Sequence, residues 1–459
     1  MLAVGRVEVR DPADGCAVTV LPMSSQTEVA AAVAVARAAL PSWAATAAAE
    51  RADAVGRAAD AVAAHADELA RLNTREMGRP EREARAGVAA GVATLRQYAQ
   101  LGPTHRGRSL AGSSDAFDLM VYEPRGVVGV LTPWNDPVAV ACGLIGAALV
   151  TGNTVVTKPS ERSPGTGARL AELIAQQLPQ GVLSALVGDG SVGAQLVRQD
   201  LDVVAHVGST ATGRAIAAAC AGTGAKALLE NGGSDPLVVD GDVDPAWAAG
   251  QAALGAFANA GQICVAVERI YVHRAVADRF LDELVARARA LRMGPGTDPR
   301  TQLGPLVDGR LRDAVHDQVC AAVAAGARLL TGGVVPDGPG SFYPATVLAG
   351  CTDDMEVMRA ETFGPVAPVA VVDSFEDALR RAASSPYGLA ATVLTRSMAH
   401  ARQAVRELPV GTVKVNDVFG GAPGGAAQPR RGSGQGYGYG PELLDELTAT
   451  KVVHLVPPP

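Results

Sequence analysis

Apolar residues recur at helical spacing through the first hundred residues of the chain. Between residues 26 and 100 the sequence is rich in Ala, and Leu and Val are placed so that they share one face of a helix, as in Glu28 to Leu40 and Ala49 to Leu72. This periodicity predicts several amphipathic helices. The Gly and Ser residues near 106–114 then predict a loop.

From residue 116 the pattern changes to short strand-like and helix-like segments in alternation. Residues 116–123 alternate polar and apolar side chains, as a half-exposed strand does, and residues 126–132 form a nearly continuous apolar run, as a buried strand does. Further strands are predicted at 154–157, 203–207 and 226–230, and helices at about 165–178 and 213–221. This alternation predicts a parallel sheet covered by helices.

The alternation resumes near residue 234 and predicts a second α/β unit. Its segments are expected at 236–240, 245–260, 270–272, 275–292, 315–326, 366–372, 392–395 and 412–415. Gly, Pro and Ser dominate residues 420–440, so that stretch is predicted to be a loop. The fold class is therefore α/β, with two units that each have a sheet of their own.

Composition narrows the class of protein. A chain of 459 residues is long enough for two or three domains, and 48% hydrophobic with only 4% aromatic residues implies cores of Ala, Val and Leu. The formal charge of −7 argues against a nucleic-acid partner. The Ala-rich runs are interrupted by charges and are too short to cross a membrane, so no membrane partner is expected.

The six cysteines are scattered along the chain without any close pair. This pattern fits neither a disulfide framework nor a zinc site, so no metal is expected. The first residues lack the basic patch and apolar run of a signal peptide. A reduced, cytoplasmic protein is the expectation.

Cys264 stands in the stretch from Phe257 to Ala266, where small residues and Gly261 let the backbone approach a ligand and keep the sulfur reachable. A nucleophilic thiol is one interpretation of this segment. An isolated cysteine in a reduced chain is more often a small buried apolar residue. The segment alone therefore favours the inert interpretation.

Two other residues carry groups that a nucleophile could use. Glu230 ends an apolar run before Gly232 and Gly233, and a partly desolvated carboxylate suits a general base. A helix cap or an exposed turn acid is the alternative. Asn135 stands between two prolines, and an amide fixed in this way suits a developing oxyanion. A structural asparagine turn is the alternative there.

Three segments suit a nucleotide cofactor. Residues 208–213 have the spacing G-x-x-x-x-G between a strand and a helix, where backbone N–H groups can bind a pyrophosphate. Lys158, one of only four lysines among 40 basic residues, follows a strand together with Glu161, and both could bond ribose hydroxyls. Glu361 and Phe363 could hold a sugar and a flat ring. Taken singly, each segment could instead be an ordinary turn or solvated loop.

Together these segments resemble the NAD(P)-dependent aldehyde dehydrogenase superfamily along nearly the whole chain. The motifs are PWN, KPSE, GST-x-x-G, LE-x-GG, GQ-x-C, E-x-FGP and VN, in that order, at residues 133–135, 158–161, 208–213, 229–233, 261–264, 361–365 and 415–416. Seven motifs in register are far more specific than any one of them. The resemblance implies a Rossmann-type NAD-binding domain, an α/β catalytic domain and a bridging oligomerisation hairpin. Their expected bounds are 1–111 with 127–233, 234–425, and 112–126 with 440–459.

The resemblance also implies roles for individual residues. Cys264 would be the nucleophile, attacking the aldehyde as a thiolate, Glu230 the general base and Asn135 the oxyanion donor. Substrate contacts are implied for Asp136 and Val265. Cofactor contacts are implied for Thr132, Trp134, Lys158, Ser160, Glu161, Gly190, Gly208, Ser209, Asn231, Gly232, Glu361 and Phe363.

The implied reaction is oxidation of an aldehyde to its carboxylic acid through a thiohemiacetal and a thioester on Cys264. NAD is favoured over NADP, because the carboxylate of Glu161 would repel a 2′-phosphate. A homodimer or homotetramer is implied by the hairpin. Two other functions stay open: a CoA-acylating aldehyde dehydrogenase, against which Glu230 speaks, and a catalytically silent binding protein on the same fold.

Several residues depart from the family pattern. Asp136 stands where an aromatic residue is usual, Asn231 replaces a leucine, Val265 follows the nucleophile, and residues 426–429 lack the usual aromatic and glycines. Asp136 predicts a substrate tunnel suited to a polar or cationic aldehyde. The alternative is that its side chain caps a helix that begins at Pro137.

Overall fold

The computed structural model describes residues 5–420 and 428–458. Its N-terminal part is a β-hairpin followed by four helices, where the helical spacing predicts them. The loop expected near residues 106–114 contains a short strand, which pairs with a longer one. In chain order these elements are β1 (Arg6–Arg10), β2 (Ala17–Pro22), α1 (Gln26–Ala45), α2 (Ala48–Ala64), α3 (Ala66–Met77), α4 (Glu81–Leu101), β3 (Arg108–Ser109) and β4 (Phe117–Pro124).

The junction between α3 and α4 is tightly packed. Gly78 ends α3 with a left-handed φ of 83°, which a glycine adopts without strain. The rings of Pro12 and Pro305 press on it, and a Cβ at position 78 would lie 2.5 Å from a ring carbon of Pro305. This junction places Arg79 in a fixed position just before α4 begins.

The first α/β unit consists of strands and helices in strict alternation. They are β5 (Val127–Leu131), α5 (Pro137–Val150), β6 (Thr154–Lys158), α6 (Pro164–Ala175), β7 (Leu183–Ala185), α7 (Gly190–Val197), β8 (Val203–Val207), α8 (Thr210–Thr223) and β9 (Lys226–Glu230). Its strands are parallel and lie in the order β9, β8, β5, β6, β7. The carboxyl ends of all five strands therefore meet at one edge.

Both faces of this sheet are buried, which explains the continuous apolar runs of its strands. Val128 and Val130 of β5 belong to the core formed with α2, α4 and α5. Val127 and Leu131, on the opposite face, belong to the core formed with α1, α7 and α8.

The second α/β unit is built on a seven-stranded sheet. Its elements are β10 (Asp235–Val239), α9 (Pro245–Phe257), β11 (Val267–His273), α10 (Arg274–Ala290), α11 (Gly309–Ala324), β12 (Arg328–Thr331), β13 (Thr346–Ala349), β14 (Val366–Val372), α12 (Phe375–Ala383), β15 (Ala390–Leu394), α13 (Met398–Glu407) and β16 (Thr412–Val415). The strand order is β12, β13, β14, β11, β10, β15, β16, and β12 is antiparallel to its neighbour. One large core surrounds this sheet.

The C-terminal part returns to both the first sheet and β4. Its elements are β17 (Gly434–Gln435), α14 (Glu442–Glu446) and β18 (Thr448–Leu455). β17 adds an antiparallel edge strand to β9. β18 pairs antiparallel with β4, with Thr448 opposite Pro124 and Leu455 opposite Phe117, and β3 completes a three-stranded sheet. The segments expected to form the hairpin thus share one sheet.

The loop expected at 420–440 contains β17 and a short 3-10 turn, Arg431–Ser433. Residues 421–427 of that loop, and with them the family departures at 426 and 427, lie outside the described residues. Similar 3-10 turns occur at Gly102–Thr104, Ala258–Gly261 and Glu356–Met358. Among the described helices, none combines the length and the apolar character needed to cross a membrane.

Candidate active site

Cys264 lies in a loop of unusual backbone conformation between α9 and β11. Asn259, Ala260 and Gly261 have consecutive positive φ angles of 48°, 54° and 74°. Residues that carry a Cβ are strained in this region, and such strain is concentrated at functional sites. Gly261 has no room for a side chain, since a Cβ there would lie 2.0 Å from the carbonyl oxygen of Gly364. The loop is therefore closely packed, and it leaves Cys264 half-buried.

Asn135 is held against this loop by its amide. Its Nδ2 donates to the carbonyl oxygen of Gln262 at 3.1 Å, and Nδ2 of Asn259 donates to the same oxygen at 3.1 Å. Asn135 is buried, with 8% of its surface exposed. An amide has two N–H groups, and this bond engages one of them. The structure thus brings the predicted oxyanion donor next to the loop of the predicted nucleophile.

Glu230 ends β9 and is half-buried beneath the C-terminal segment, with its Oε1 shielded from solvent. Its Oε1 has no hydrogen-bond partner among the described residues. A Cβ on Gly438 would lie 1.8 Å from that oxygen, so the carboxylate touches the Gly438 backbone. Burial raises the pKa of Glu230 to about 7, because the charged form is poorly solvated. This value suits a general base near neutral pH.

The surroundings of Cys264 favour the protonated form of its thiol. Burial and the nearby carboxylates, of which Glu230 has the largest effect, together raise its pKa to about 12. The thiolate that would attack an aldehyde must therefore form from the thiol during the reaction. A base must remove the proton before attack, and Glu230 is placed to interact with it.

Glu361, Phe363, Trp134 and Gly232 come together from distant parts of the sequence. The Glu361 carboxylate accepts the N–H of Gly233 at 3.0 Å, and a Cβ at Gly232 would lie 2.1 Å from its other oxygen. The rings of Trp134 and Phe363 meet edge to face with centroids 5.5 Å apart. Burial raises the pKa of Glu361 to about 8. Four of the predicted cofactor residues are thus adjacent.

Two buried carboxylates near the site are missing from the sequence-based set. Glu268 accepts the N–H groups of Thr362 at 2.8 Å and of Phe363 at 3.0 Å, and this holds Phe363 at its left-handed φ of 54°. Asp235 accepts the N–H of Ala390 at 3.1 Å, and burial raises its pKa to about 8. An acidic residue inside the apolar strand β11 is the signal that could have identified Glu268.

Lys158 ends β6 at the carboxyl edge of the six-stranded sheet. Its Nζ donates to the carbonyl oxygens of Pro159 at 2.7 Å and Gly188 at 3.0 Å, and it lies 3.9 Å from the carboxylate of Glu161. The sequence predicts that this ammonium binds ribose hydroxyls. Backbone carbonyls already use two of its three N–H groups, so one remains for a ligand.

The other predicted cofactor residues stand at the same edge. Thr132 follows β5, Ser160 follows β6, Gly190 begins α7, and Gly208 and Ser209 connect β8 to α8. The Ser209 hydroxyl caps α8 by accepting the N–H of Thr212 at 3.3 Å. Ligands of parallel sheets bind at this edge, and helix N-termini favour anionic groups there.

Asn231 follows β9 and is held by the protein itself. Its Nδ2 donates to the carbonyl oxygen of Gly432 at 3.2 Å. Its Oδ1 faces Gly213 of α8, where a Cβ would lie only 1.8 Å away. The side chain therefore links the C-terminal segment to the first turn of α8. Its Oδ1 has no hydrogen-bond partner among the described residues, and a contact of Asn231 with the cofactor stays a prediction.

Asp136 has a partner that the sequence does not reveal. Its Oδ1 lies 3.1 Å from Nη1 of Arg79. Asp136 occupies the position before α5, but its side chain makes no capping hydrogen bond, so the capping alternative is wrong. The ion pair also removes the reason to expect an uncompensated negative charge in the substrate tunnel. Val265, the other predicted substrate residue, is half-buried beside Cys264.

Comparison with known proteins gives matches over almost the full length. A family model described as the aldehyde dehydrogenase family matches residues 3–453. A benzaldehyde dehydrogenase [NAD(+)] from Pseudomonas putida is 36% identical over 476 aligned positions, which cover 99% of this chain and 94% of that protein.

Solved structures agree with these matches. An NAD+ complex of an aldehyde dehydrogenase from Bacillus cereus has 34% identity and a TM-score of 0.96, covering 98% of this chain and 93% of that chain. Lactaldehyde dehydrogenase from Escherichia coli has 30% identity and a TM-score of 0.96, covering 99% and 96% of the two chains. The predicted α/β fold and the predicted class of enzyme, an oxidoreductase that acts on aldehydes, are confirmed. The chain belongs to the aldehyde dehydrogenase family.

Proposed function

We propose that the protein oxidises an aldehyde to its carboxylic acid with NAD, with Cys264 as nucleophile, Glu230 as general base and Asn135 as oxyanion donor. The observation that carries this proposal is the meeting of two groups from separate segments, the Asn135 amide and the Glu230 carboxylate, around one half-buried thiol. Asn135 bonds the loop of Cys264 at 3.1 Å, and Glu230 exerts the largest charge effect on its thiol. An inert core cysteine would need neither group.

The first step is attack by the sulfur. Glu230 takes the thiol proton, and the resulting thiolate attacks the aldehyde carbon. The second N–H of the Asn135 amide and the backbone N–H of Cys264 donate to the alkoxide that forms. Lys158 and the N-terminus of α8 would hold NAD, which would supply a hydride acceptor; once the carbon has lost its hydride, a thioester remains on Cys264.

The second step is hydrolysis of the thioester. Glu230 first releases the thiol proton to solvent. Its carboxylate then takes a proton from water, which attacks the acyl carbon, and Glu230 returns this proton to the sulfur as the C–S bond breaks and the acid leaves. With a pKa of about 7, Glu230 can both accept and release a proton near neutral pH. The presence of this base supports hydrolysis over acyl transfer to CoA.

The carboxyl edge of the six-stranded sheet fits NAD. Lys158 retains one N–H group, the N-terminus of α8 offers backbone N–H groups, and Trp134 and Phe363 provide flat surfaces beside Glu361. Glu161, with 42% of its side chain exposed, supports NAD over NADP, since its charge would oppose a 2′-phosphate. The names of the Pseudomonas putida and Bacillus cereus relatives also include NAD.

We further propose a neutral aldehyde as substrate. The charge of Asp136 is compensated by Arg79, so this position offers no free anion to a cationic aldehyde. The benzaldehyde dehydrogenase among the relatives is named for a neutral aromatic aldehyde. Benzaldehyde is therefore the first compound to compare with an aminoaldehyde.

The assembly expected is a homodimer or homotetramer in the cytoplasm. The sheet of β3, β4 and β18 supports this, because it presents exposed apolar side chains, among them Phe117 at 66% and Val452 at 68% exposure. A reducing compartment would keep the Cys264 thiol free. Light scattering after size exclusion distinguishes a monomer from either assembly.

An aldehyde panel tests the proposed function. Benzaldehyde, lactaldehyde, hexanal and 3-aminopropanal are incubated with NAD or NADP, with and without CoA, and absorbance at the nicotinamide band is followed. We expect CoA-independent NADH formation that is lost in Cys264→Ala. Activity retained in Cys264→Ala, or a strict requirement for CoA, would contradict the proposal.

A further inference from the structure

A closed path of hydrogen bonds joins α4 to both loops of the proposed catalytic site. One arm runs from Arg79, whose Nη1 lies 3.1 Å from the carboxylate of Asp136 and donates to the carbonyl oxygen of Asn135 at 3.4 Å. The other arm runs from Glu83, whose carboxylate accepts the N–H of Asn259 at 3.0 Å. The arms meet at Gln262.

The carbonyl oxygen of Gln262 receives the amides of both Asn135 and Asn259, each at 3.1 Å. Gln262 is itself fully buried and accepts the N–H of Val307 at 2.9 Å through Oε1. The Gln262 carbonyl oxygen therefore fixes the position of the Asn135 amide relative to Cys264. A shift of the loop that carries Asn135, or of the loop that carries Cys264, would change that position.

Arg79 is well placed to hold its arm of the path. Only 11% of its side chain is exposed, and Gly78 before it is wedged between Pro12 and Pro305. Its carbonyl oxygen is in close contact with Gly296, where a Cβ would lie 2.6 Å away. Because the backbone is fixed on both sides, the guanidinium has little freedom to leave Asp136 and Asn135.

The positive charge of Arg79 in one arm stabilises the negative charge of Glu83 in the other. Burial raises the pKa of Glu83, and the positive charge of Arg79 is the largest effect opposing that rise. Loss of Arg79 would weaken Glu83 as an acceptor for Asn259 and leave Asp136 half-buried without its partner. Both loops would lose support at once.

We propose that Arg79 and Glu83 are positioning residues that fix the Asn135 amide and the Cys264 loop in register for oxyanion binding. Neither touches the reacting atoms. This inference rests on the proposed function, since it assigns the register to the alkoxide formed on Cys264. Small displacements at such a site slow the chemical step strongly while changing ground-state binding little.

The test measures the first turnover of the full-length enzyme with benzaldehyde and NAD. We expect Arg79→Met to slow the NADH burst roughly 10- to 100-fold, with the KM for aldehyde changed less than about threefold. Arg79→Lys keeps the charge and should recover part of the loss. Glu83→Gln, which keeps size and shape, should slow the burst roughly 3- to 10-fold through the second arm.

Arg85→Met is the matched control on the same helix. Arg85 pairs with Asp67 and with Glu81, which lies 2.8 Å away, and the pairs are on the surface. The dissociation constant for NAD and the melting temperature are measured for every variant. Slowing of the burst with NAD affinity unchanged supports the inference.

A burst in Arg79→Met and Glu83→Gln that is as fast as in Arg85→Met would overturn the positioning role. A parallel loss of NAD affinity would also overturn it, because that outcome indicates a general structural role. Absence of NADH formation by the wild-type enzyme across the aldehyde panel would instead contradict the proposed function. The two failures are therefore distinguishable.

Discussion

The carboxylate of Glu230 lies directly against the backbone of Gly438, at a distance that no side chain at position 438 would permit. The segment around Gly438 is tied down on both sides. β17 pairs with β9 through Gly434 and Glu230, and the hydroxyl of Tyr439 contacts Thr94 and Gln97 at 3.2 Å. Glu230 therefore sits beneath a fixed cover that keeps it desolvated.

Gly438→Ala tests this contact. The added methyl group would lie 1.8 Å from Oε1, so Glu230 must move. We expect thioester hydrolysis to slow roughly 10- to 100-fold, while the NADH burst keeps its amplitude. Stopped-flow absorbance separates the two phases. Gly222→Ala, at a position with open space around it, is the control, and equal rates in both variants would contradict the contact's importance.

The pH dependence of hydrolysis reports the protonation of Glu230. The base works only when ionised, and burial raises its pKa from 4.5 to about 7, so activity should rise with pH around a midpoint near 7 rather than near 4.5. Glu230→Gln should flatten the profile and lower the rate roughly 10²- to 10⁴-fold. The measurement is decay of the acyl-enzyme in single turnovers, and a pH-independent wild-type rate would count against Glu230.

The charge of Glu161 is expected to set part of the cofactor preference. Glu161→Gln removes the repulsion toward a 2′-phosphate, and the ratio of kcat/KM for NADP to that for NAD should rise roughly 2- to 5-fold, a modest effect because the side chain is partly exposed. Glu172→Gln on α6 is the control, since Glu172 pairs with Arg169 on the surface. An unchanged ratio would show that Glu161 does not face the ribose.

The ion pair of Asp136 with Arg79 predicts the response to substrate charge. We expect kcat/KM to be higher for benzaldehyde than for 3-aminopropanal, and Asp136→Asn to change the ratio of the two by less than about threefold. Preference for the aminoaldehyde, lost in Asp136→Asn, would restore the cationic-tunnel hypothesis. Steady-state rates with both aldehydes at fixed NAD decide between them.

Patterns along the chain were sufficient for the fold and for most of the candidate site. The spacing of apolar residues and the order of the motifs predict the parallel strands, the Cys264 loop and the carboxyl edge with Lys158, because each of these depends on local sequence. Pairs of side chains that are far apart in the sequence cannot be predicted in this way. Asp136 pairs with Arg79, which lies at the junction of α3 and α4. The sequence around each of these residues contains no signal that predicts the pair.

Protonation states were also beyond the sequence. The burial that raises the pKa of the Cys264 thiol to about 12 and that of the Glu230 carboxyl to about 7 arises from three-dimensional packing, including the contact with Gly438. The role of Glu268 also depends on three-dimensional packing, so the sequence does not predict it. Its carboxylate accepts the backbone N–H groups of Thr362 and Phe363, which lie far from Glu268 in the sequence.

The most direct test of the central claim is mass spectrometry of the acylated protein. Glu230→Gln is incubated with NAD and benzaldehyde, quenched in acid and digested. We predict a benzoyl group on the peptide that contains Cys264, dependent on NAD, because the thioester forms slowly but is not hydrolysed. No adduct on that peptide, or an adduct on another cysteine while NADH is produced, would contradict the assignment of Cys264 as the nucleophile.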